Sequence, residues 1–261
     1  MLEIKDLTIQ YGDKAPVVEN FSLSLKKGEI ITIVGESGSG KSTVLSSILG
    51  LLPNGGKIIS GDIIYNGESM LNKSLNQWRE LRGTEITMIS QDSGGTLNPI
   101  RKIGKQFVEY IQTHSKMSAK EAEEKAEDMF SKVNLPDPEI IMKSYPHQLS
   151  GGMKQRVGIA MALTFHPKII LADEPTSALD VITQAQIVKE IMDLRKKFDT
   201  SIIMVTHNLG VAAYISDKII VMQNGKIVDA GNKNEVIENP KSEYTKKLLE
   251  AVPEIGGERL V

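Results

Sequence analysis

Short apolar runs alternate with stretches of helical periodicity along most of this chain. Ile30–Val34, Ile86–Ile89, Ile169–Ala172 and Ile202–Val205 have the length and the β-branched character of buried strands. Between the last two, apolar side chains recur at helical spacing, at Ile187, Val188, Ile191, Leu194 and Phe198. Strands that alternate with helices in this way predict an α/β fold with a mainly parallel sheet.

Two other regions have a different pattern. Near the N-terminus, apolar and polar residues alternate from Leu2 to Leu25, which predicts antiparallel strands over one side of a larger sheet. Residues 98–154 contain no strand-like run, and Ser118-x-x-Glu121 is a capping box that opens a helix. We interpret this region as an inserted helical subdomain.

The C-terminal part is predicted to contain a hairpin and then helices. Asn224-Gly225 separates two apolar runs and favours a type I′ turn, whereas the last thirty residues are polar and helical in pattern. We therefore expect one domain, in which residues 1–97 and 155–230 form the core. Residues 98–154 form the helical subdomain, and 231–261 a C-terminal helical tail.

The segment after the strand Ile30–Val34 matches the pattern G-x-x-x-x-G-K-[ST]. Its glycines allow backbone N–H groups to turn inward around phosphate oxygens at a helix N-terminus, where a lysine reaches the β- and γ-phosphates and a serine can ligate Mg²⁺. A Gly/Ser-rich turn is the alternative, but the strand before and the helix after favour a phosphate loop. The loop residues are Gly35, Glu36, Ser37, Gly38, Ser39, Gly40, Lys41, Ser42 and Thr43.

Two further groups follow predicted strands. Asp173-Glu174 places a carboxylate where it can hold Mg²⁺, and a second one that can orient or deprotonate a water. His207 follows the last buried strand, where it could donate a hydrogen bond to a γ-phosphate. An acidic pair on the surface and a structural histidine are the alternatives, and the phosphate loop favours the functional interpretation of both.

Two features remain ambiguous from the residues alone. Ser150, followed by Gly151 and Gly152, forms a second helix N-terminus that can accept an anion, although simple helix capping is the better explanation from these residues alone. Tyr11 lies in a loop, either as a packing residue or as an aromatic platform on which a base could stack.

The composition limits the classes of function. Lys+Arg 31 against Asp+Glu 33 gives a net charge of −2 with no long basic run, which argues against nucleic-acid binding. The absence of cysteine excludes disulfides, thiolate zinc sites and iron–sulfur clusters. No apolar run approaches the length of a membrane helix, and the N-terminus lacks the apolar core of a signal peptide. We expect a soluble chain whose membrane role depends on partners.

Together these motifs resemble an ATP-binding cassette (ABC) ATPase over essentially the whole chain. They include Walker A at Gly35–Thr43, a glutamine loop at Gln91, the signature Leu149–Gln155 and Walker B ending in Asp173-Glu174. A D-loop, Ser177-Ala178-Leu179-Asp180, and the switch His207 complete the order. The resemblance implies a P-loop NTPase (RecA-like) core with an N-terminal antiparallel β subdomain and an inserted α-helical subdomain.

The resemblance also implies roles for individual residues. Glu174, His207 and Gln91 are the expected catalytic residues. ATP is expected on the Walker A loop, with Tyr11 stacked on adenine. The expected ligands of Mg²⁺ are Ser42, Gln91 and Asp173. Ser150, Gly151, Gly152 and Asp180 are expected to complete the site of a second cassette.

Finer resemblance is to the ATPases of oligopeptide, dipeptide and nickel importers. It rests on Ser90-Gln91-Asp92 continuing to Pro99, on Tyr145-Pro146-His147 and on the segment from Tyr244 to Pro253. The expected partners are a second ABC ATPase subunit, homologous or identical, two membrane permease subunits and an extracytoplasmic solute-binding protein, with no nucleic acid. The chain would lie at the cytoplasmic face of the membrane, and the loop Gln91–Pro99 would dock on a permease through Leu97.

Two other functions remain open. An accessory ABC ATPase of a soluble phosphonate carbon–phosphorus lyase complex has a similar signature. A repair or translation ATPase that acts on nucleic acid would carry a long coiled-coil insertion or tandem cassettes, and this sequence has neither.

Overall fold

The computed structural model describes residues 1–53, 55–177 and 180–252, and the backbone of 254, 255, 258 and 259. The chain forms two compact units. The first unit comprises Met1–Leu75 and Ser201–Val261, and the second comprises Asn76–Thr200. The domain boundaries predicted from the sequence stay predictions.

Among the described residues, the first unit contains three groups of strands. Its strands are β1 (Leu2–Tyr11), β2 (Val18–Leu25), β3 (Ile30–Val34), β4 (Gly56–Tyr65), β5 (Glu68–Ser69), β8 (Ser201–Thr206), β9 (Lys218–Gln223), β10 (Lys226–Asn232), β11 (Glu254–Ile255) and β12 (Glu258–Arg259). Its helices are α1 (Lys41–Ile48), α9 (Leu209–Ile215), α10 (Lys233–Glu238) and α11 (Glu243–Glu250). Strands β2, β1, β4 and β5 form an antiparallel sheet in that order, as the alternating N-terminal pattern predicts.

Strand β3 lies between β8 and β9, and it is parallel to both. All five of its residues are buried. A parallel strand that is covered on both faces needs apolar residues at successive positions, and here only Thr32 is polar. The hydroxyl of that residue, Thr32, accepts a hydrogen bond from Ser216 Oγ at 2.5 Å, so the polar group is paired inside the core. The strand therefore provides a fixed base for the loop that follows it.

The predicted hairpin is present. Strands β9 and β10 pair antiparallel, and both turn residues have positive φ, 49° at Asn224 and 80° at Gly225. Positive φ at two successive positions defines a type I′ turn, which matches the twist of the flanking strands.

The second unit is mainly helical. It contains strands β6 (Ile86–Ile89) and β7 (Ile169–Asp173), which pair in parallel. Its helices are α3 (Ser93–Thr96), α4 (Ile103–His114), α5 (Ala119–Lys132), α6 (Pro138–Lys143), α7 (Gly151–Leu163) and α8 (Val181–Phe198), and α2 (Leu75–Leu81) lies at the boundary of the two units. Residues 98–150, all of which are described, contain helices and no strand.

Helix α5 begins as the sequence indicates. Ser118 Oγ accepts a hydrogen bond from the Glu121 N–H at 3.3 Å, and the Ser118 N–H donates to Glu121 Oε2 at 2.7 Å, which together form the capping box. Its apolar face is buried, and Phe130 packs against Phe107 of α4 with ring centroids 5.1 Å apart.

The tail differs from its prediction at the end. Helices α10 and α11 are present, but β11 and β12 pair antiparallel where the polar pattern indicated helix. Pro253, which ends one of the segments that carry the finer resemblance, lies outside the described residues, as do Gly256 and Gly257.

Candidate nucleotide-binding site

The loop between β3 and α1 has the close backbone packing that its glycines predict. At Gly35, a Cβ atom would lie 2.2 Å from the Met222 carbonyl oxygen, and at Gly40 it would lie 2.8 Å from that of Val17. Gly40 also has a φ of 100°, which residues with a side chain rarely adopt. Hydrogen is therefore the only side chain that fits at either position without a shift of neighbouring backbone.

Lys41 is the first residue of α1, and its side chain turns back over this loop. It is only 4% exposed, and its Nζ donates hydrogen bonds of 2.7 Å to the carbonyl oxygens of Gly35 and Glu36. Ser39 Oγ lies 3.5 Å from the same nitrogen. Neutral carbonyls satisfy the ammonium group without cancelling its charge, so the loop can hold an anion such as a phosphate chain.

The remaining loop residues differ in exposure. Glu36, Ser37, Gly38 and Ser42 are exposed, whereas Thr43 is partly buried. Ser42 lies in the first turn of α1, next to the helix N-terminus that favours phosphate. Its predicted role as a ligand of Mg²⁺ stays a prediction.

His207 follows β8 at the same sheet edge as the phosphate loop. Val34 at the end of β3 is paired with Thr206 at the end of β8, so Gly35 and His207 leave neighbouring parallel strands side by side. His207 is exposed, and the next residue, Asn208, caps α9 by accepting a hydrogen bond from the Val211 N–H at 3.2 Å. The first unit thus brings together two of the predicted groups.

Tyr11 ends β1, where it is paired with Gly56 of β4. Its ring lies against that glycine, since a Cβ on Gly56 would be 2.7 Å from Tyr11 Cε1. The side chain is partly buried, so the packing role is visible, and the adenine-stacking role stays a prediction. The loop after Tyr11 runs to Val17, and the carbonyl oxygen of Val17 is the atom that a Cβ on Gly40 would approach to 2.8 Å.

In the second unit, Gln91 and the acidic pair lie at one edge of β6 and β7. Ile89 of β6 pairs with Ala172 of β7. Gln91, two residues after Ile89, therefore lies at the same end of the strand pair as Asp173 and Glu174, which follow Ala172. Gln91 is exposed, and both carboxylate residues are partly buried. The structure thus places Gln91 and the acidic pair at one sheet edge, and their roles in the site stay predictions.

Glu174 has a left-handed backbone, with φ at 43°. Its carbonyl oxygen accepts hydrogen bonds from the Ser177 N–H at 3.2 Å and from Ser177 Oγ at 3.1 Å, which stabilise this turn. A glutamate in this region costs of order 1–2 kcal/mol, and such outliers cluster at functional positions. The sequence gives no signal for this conformation.

The signature residues meet the D-loop at the start of two helices. Ser150 caps α7 by accepting from the Met153 N–H at 3.3 Å, and a Cβ on Gly152 would lie 3.0 Å from Thr183 Cγ2. Asp180 caps α8 through Thr183, whose N–H and hydroxyl donate to its carboxylate at 3.0 and 2.7 Å. Gly152 and Asp180 therefore share Thr183 as a neighbour, which the sequence analysis missed. Ala178 and Leu179 of the D-loop lie outside the described residues.

An ion pair that the sequence analysis also missed joins these two helices. Arg156 of α7 contacts both carboxylate oxygens of Glu190 in α8, with Nη2–Oε1 at 2.8 Å and Nε–Oε2 at 3.1 Å. The two side chains are 18% and 15% exposed. A bidentate pair of this kind fixes the relative orientation of the helices that carry the signature and Asp180.

The loop after Gln91 packs against the signature helix. A Cβ on Gly158 would lie 2.6 Å from Ser93 Oγ, and one on Gly94 would lie 2.9 Å from Lys154 Cδ. Leu97 is 6% exposed, so the docking contact predicted for Leu97 is wrong, because this side chain is buried in its own unit. Ile100, three residues later, is 82% exposed.

The predicted site residues are divided between the two units. Tyr11, the phosphate loop and His207 belong to the first, and Gln91, the signature, the acidic pair and Asp180 belong to the second. Among the described residues, no group of three or more acidic or histidine side chains could hold a metal ion by itself. The proposed Mg²⁺ ligands, Ser42, Gln91 and Asp173, include a hydroxyl and an amide and stay a prediction. Within the described part of the chain, no helix combines the length and apolarity needed to cross a membrane.

Comparison with known sequences adds independent information. A family model described as ABC transporter matches residues 18–177. The oligopeptide transport ATP-binding protein OppD of Bacillus subtilis is 44% identical over 257 residues, which cover 97% of this chain and 72% of that protein. OppD of Escherichia coli is 43% identical over 99% of this chain and 77% of that protein. The dipeptide transport ATP-binding protein DppD of Lactococcus lactis is 40% identical over 98% of this chain and 74% of that protein.

Solved structures agree with the sequence comparison. An ATP-binding cassette in a dimeric post-hydrolysis state, bound to ADP and Pi, has a TM-score of 0.77 and 29% identity over 89% of this chain and 99% of that one. Clostridium perfringens cbiO1, part of an ABC transporter complex, has a TM-score of 0.79 and 26% identity, with 97% and 95% covered. The predicted fold class is confirmed, and the chain belongs to the ABC transporter family that its motifs resemble.

Proposed function

We propose that this chain is the ATP-hydrolysing subunit of a prokaryotic ABC importer for oligopeptides or dipeptides. The observation that carries ATP binding is the buried Lys41 ammonium group, held over the glycine loop by the carbonyls of Gly35 and Glu36. The peptide class rests on near full-length similarity to OppD and DppD proteins. These relatives do not favour the alternative of an accessory ATPase in a phosphonate-degrading complex.

The residues of the first unit would bind and orient the nucleotide. The amides of the phosphate loop and Lys41 hold the phosphates, and Tyr11 supports the adenine. His207, which leaves the sheet beside Gly35, donates a hydrogen bond to the γ-phosphate as negative charge develops there. Ser42 is one of the proposed ligands of Mg²⁺, which, when bound, would neutralise part of the phosphate charge.

The residues of the second unit would activate the water. Asp173 and Gln91 complete the proposed Mg²⁺ site. Glu174 orients the attacking water and accepts its proton. Because Gln91 and Glu174 leave the same edge of β6 and β7, the metal ligand and the base are held at a fixed spacing.

We propose that Ser150, Gly151, Gly152 and Asp180 act on nucleotide bound by a second cassette, so that each active site draws on two chains. Ser150 caps the N-terminus of α7, the end of a helix that favours an anion, and the Arg156–Glu190 pair holds α7 against the helix that Asp180 caps. Nucleotide binding would bring two cassettes face to face, and hydrolysis would separate them.

A mixing experiment tests the composite site. A Ser150→Arg chain and a Lys41→Ala chain are each expected to be inactive alone. In a mixed dimer both lesions fall on one site and the other site stays intact, so a 1:1 mixture should recover about a quarter of wild-type turnover if one site suffices. No recovery at any ratio would contradict the shared site. If the natural partner is a paralogue, the two changes are divided between this chain and that paralogue.

The proposed partners are a second cassette, two permease subunits and, through them, a solute-binding protein, with this chain on the cytoplasmic face of the membrane. Core residues 1–97 and 155–230 would carry the nucleotide, residues 98–154 would transmit its state, and residues 231–261 would form the tail. Ile100 is the exposed apolar residue closest in sequence to the Gln91 loop, so we propose it as the permease contact in place of Leu97.

Ile100→Glu should prevent assembly with the permeases and leave ATP binding by the isolated chain unchanged. A charge buried without a partner in an apolar contact costs several kcal/mol, and the phosphate loop is untouched. The measurement is co-purification of tagged permeases with the variant. The matched control is Ile140→Glu, since Ile140 is 62% exposed on α6 of the same unit. Equal permease recovery with Ile100→Glu and wild type would argue against this contact.

Transport itself tests the function as a whole. The chain, reconstituted in vesicles with the permeases that co-purify with it and with a peptide-binding protein, should hydrolyse ATP faster when a di- or oligopeptide is supplied, and the peptide should accumulate inside the vesicles. Co-purification with a soluble lyase and without permeases would instead support the phosphonate alternative.

A further inference from the structure

Helix α11, which has no role in the function proposed above, is fixed at its start by a buried carboxylate. Asp229 in β10 is 5% exposed, and its Oδ2 accepts hydrogen bonds from the N–H groups of Lys241 at 2.7 Å and Ser242 at 3.3 Å. Ser242 then caps the helix by accepting from the Thr245 N–H at 3.0 Å. The position of the first turn of α11 is therefore set by the sheet of the first unit.

This first turn carries Tyr244, which is 9% exposed. Its ring lies in an apolar cluster with Val34, the residue before the phosphate loop, and Leu209, two residues after His207. The other buried members are Ala212, Ile219, Val221, Val236, Leu249 and Val252. The cluster thus lies beneath the start of the phosphate loop and the segment that follows the switch histidine.

The hydroxyl group of Tyr244 reaches the phosphate loop itself. Its oxygen accepts a hydrogen bond of 2.9 Å from the backbone N–H of Glu36, across 208 positions of sequence. The carbonyl of the same residue accepts from Lys41 Nζ at 2.7 Å. The backbone of Glu36 is therefore held on one side by Tyr244 and on the other by the lysine expected to bind phosphate.

The chemistry of the tyrosine suits this contact. Burial is the main cause that raises the pKa of Tyr244, so the phenol stays protonated at neutral pH and its oxygen acts as a neutral acceptor. A phenylalanine would fill the same apolar space but would leave the Glu36 N–H without this partner.

We propose that Tyr244 is a positioning residue for the phosphate loop: its hydroxyl fixes the Glu36 peptide, and through it the Lys41 ammonium group, in the arrangement that binds the phosphates of ATP. The inference rests on the proposed ATP-binding function. It gives the C-terminal helix a role in nucleotide affinity, in addition to its role in packing.

The test compares Tyr244→Phe with wild type in the full chain, first without nucleotide. Amide hydrogen exchange, followed by NMR, should be several-fold faster at Glu36 in the variant, because the N–H loses its acceptor. Titrated with ATP and with ADP, the variant should bind each about threefold to tenfold more weakly, the range for one net hydrogen bond. Tyr214→Phe is the matched control, since Tyr214 is 60% exposed on α9 of the same unit, and it should change neither quantity.

A double-mutant cycle assigns the effect to the Glu36 N–H. Glu36→Pro removes that donor, so Tyr244→Phe should cause no further loss of affinity in the Glu36→Pro background. A persistent loss there would mean that the hydroxyl acts through another group, and it would overturn the proposal.

The remaining outcomes separate the proposal from the function on which it rests. Wild-type affinity in Tyr244→Phe overturns the proposal, whether or not Glu36 exchanges faster, because the contact would then be structural only. Weaker affinity with unchanged exchange at Glu36 overturns it as well. Failure of the wild-type chain to bind ATP at all would instead overturn the proposed function.

Discussion

Replacing Glu174 with glutamine should reduce ATP turnover by roughly 10²–10⁴-fold, the range for loss of a general base, and leave ATP affinity close to that of wild type. Glutamine keeps the length and branching of the side chain, so the left-handed backbone at this position, with φ at 43°, is equally tolerated in both proteins. Only the proton acceptor is lost. The phosphate loop belongs to the other unit and is unchanged.

Turnover is measured as released phosphate, and affinity is measured by titration with ATP under conditions where hydrolysis is slow. Glu123→Gln is the control, because it makes the same carboxylate-to-amide change on an exposed position of α5. Turnover within a few-fold of wild type in Glu174→Gln would assign the base to another residue.

Lys41→Ala should weaken ATP binding itself, by roughly 10- to 150-fold, since a hydrogen bond to a charged group contributes about 1.5–3 kcal/mol. The substitution removes a 4% exposed ammonium group that holds two loop carbonyls at 2.7 Å. Both the charge and the order of the loop are lost. At subsaturating ATP, turnover by Lys41→Ala should fall at least as much as its affinity for ATP. Glu174→Gln differs, because it should lose turnover and keep its affinity.

Binding of ATP and ADP is measured at low salt, where a charge contact contributes most. Lys26→Ala is the matched control, because Lys26 is exposed and precedes β3, at the opposite end of the strand from Lys41. Unaltered affinity in Lys41→Ala would contradict the assignment of the phosphate loop.

Local sequence signals were sufficient for most of the elements that carry the site. Ile86–Ile89 forms β6 with the predicted bounds, because a short, mainly apolar run between polar segments favours a buried strand. The capping box at Ser118 and the turn at Asn224-Gly225 are equally local, since each depends on residues within a few positions. Their chemistry determines backbone conformation directly.

The contacts that the sequence did not reveal join residues far apart in the chain. Arg156 pairs with Glu190, and nothing in either helix pattern selects one partner from the many charged residues nearby. Leu97 was expected at a docking surface because the resemblance implies a permease contact on this loop, but its exposed fraction depends on how the loop packs within its own unit. Tertiary packing of this kind has no local signature.

The candidate site could be predicted for a different reason. Phosphate binding requires particular backbone shapes, so Gly35 and Gly40 are specified by chemistry as well as by packing. The left-handed Glu174 could not be predicted, since glutamate has no preference for that conformation. The assigned roles of these residues stay predictions until the variants above are measured.

The central position of β3 has a consequence for synthesis of the protein. Residues 30–34 leave the ribosome early, but the neighbours of β3 are β8 and β9, at residues 201–206 and 218–223, and the Tyr244 contact to Glu36 spans 208 positions. At about 5–20 residues per second, this interval lasts about 10–40 s. Throughout it, a buried, mainly apolar strand and the nascent phosphate loop lack their partners, so the growing chain is exposed to aggregation and cannot complete its nucleotide site until Tyr244 has been translated.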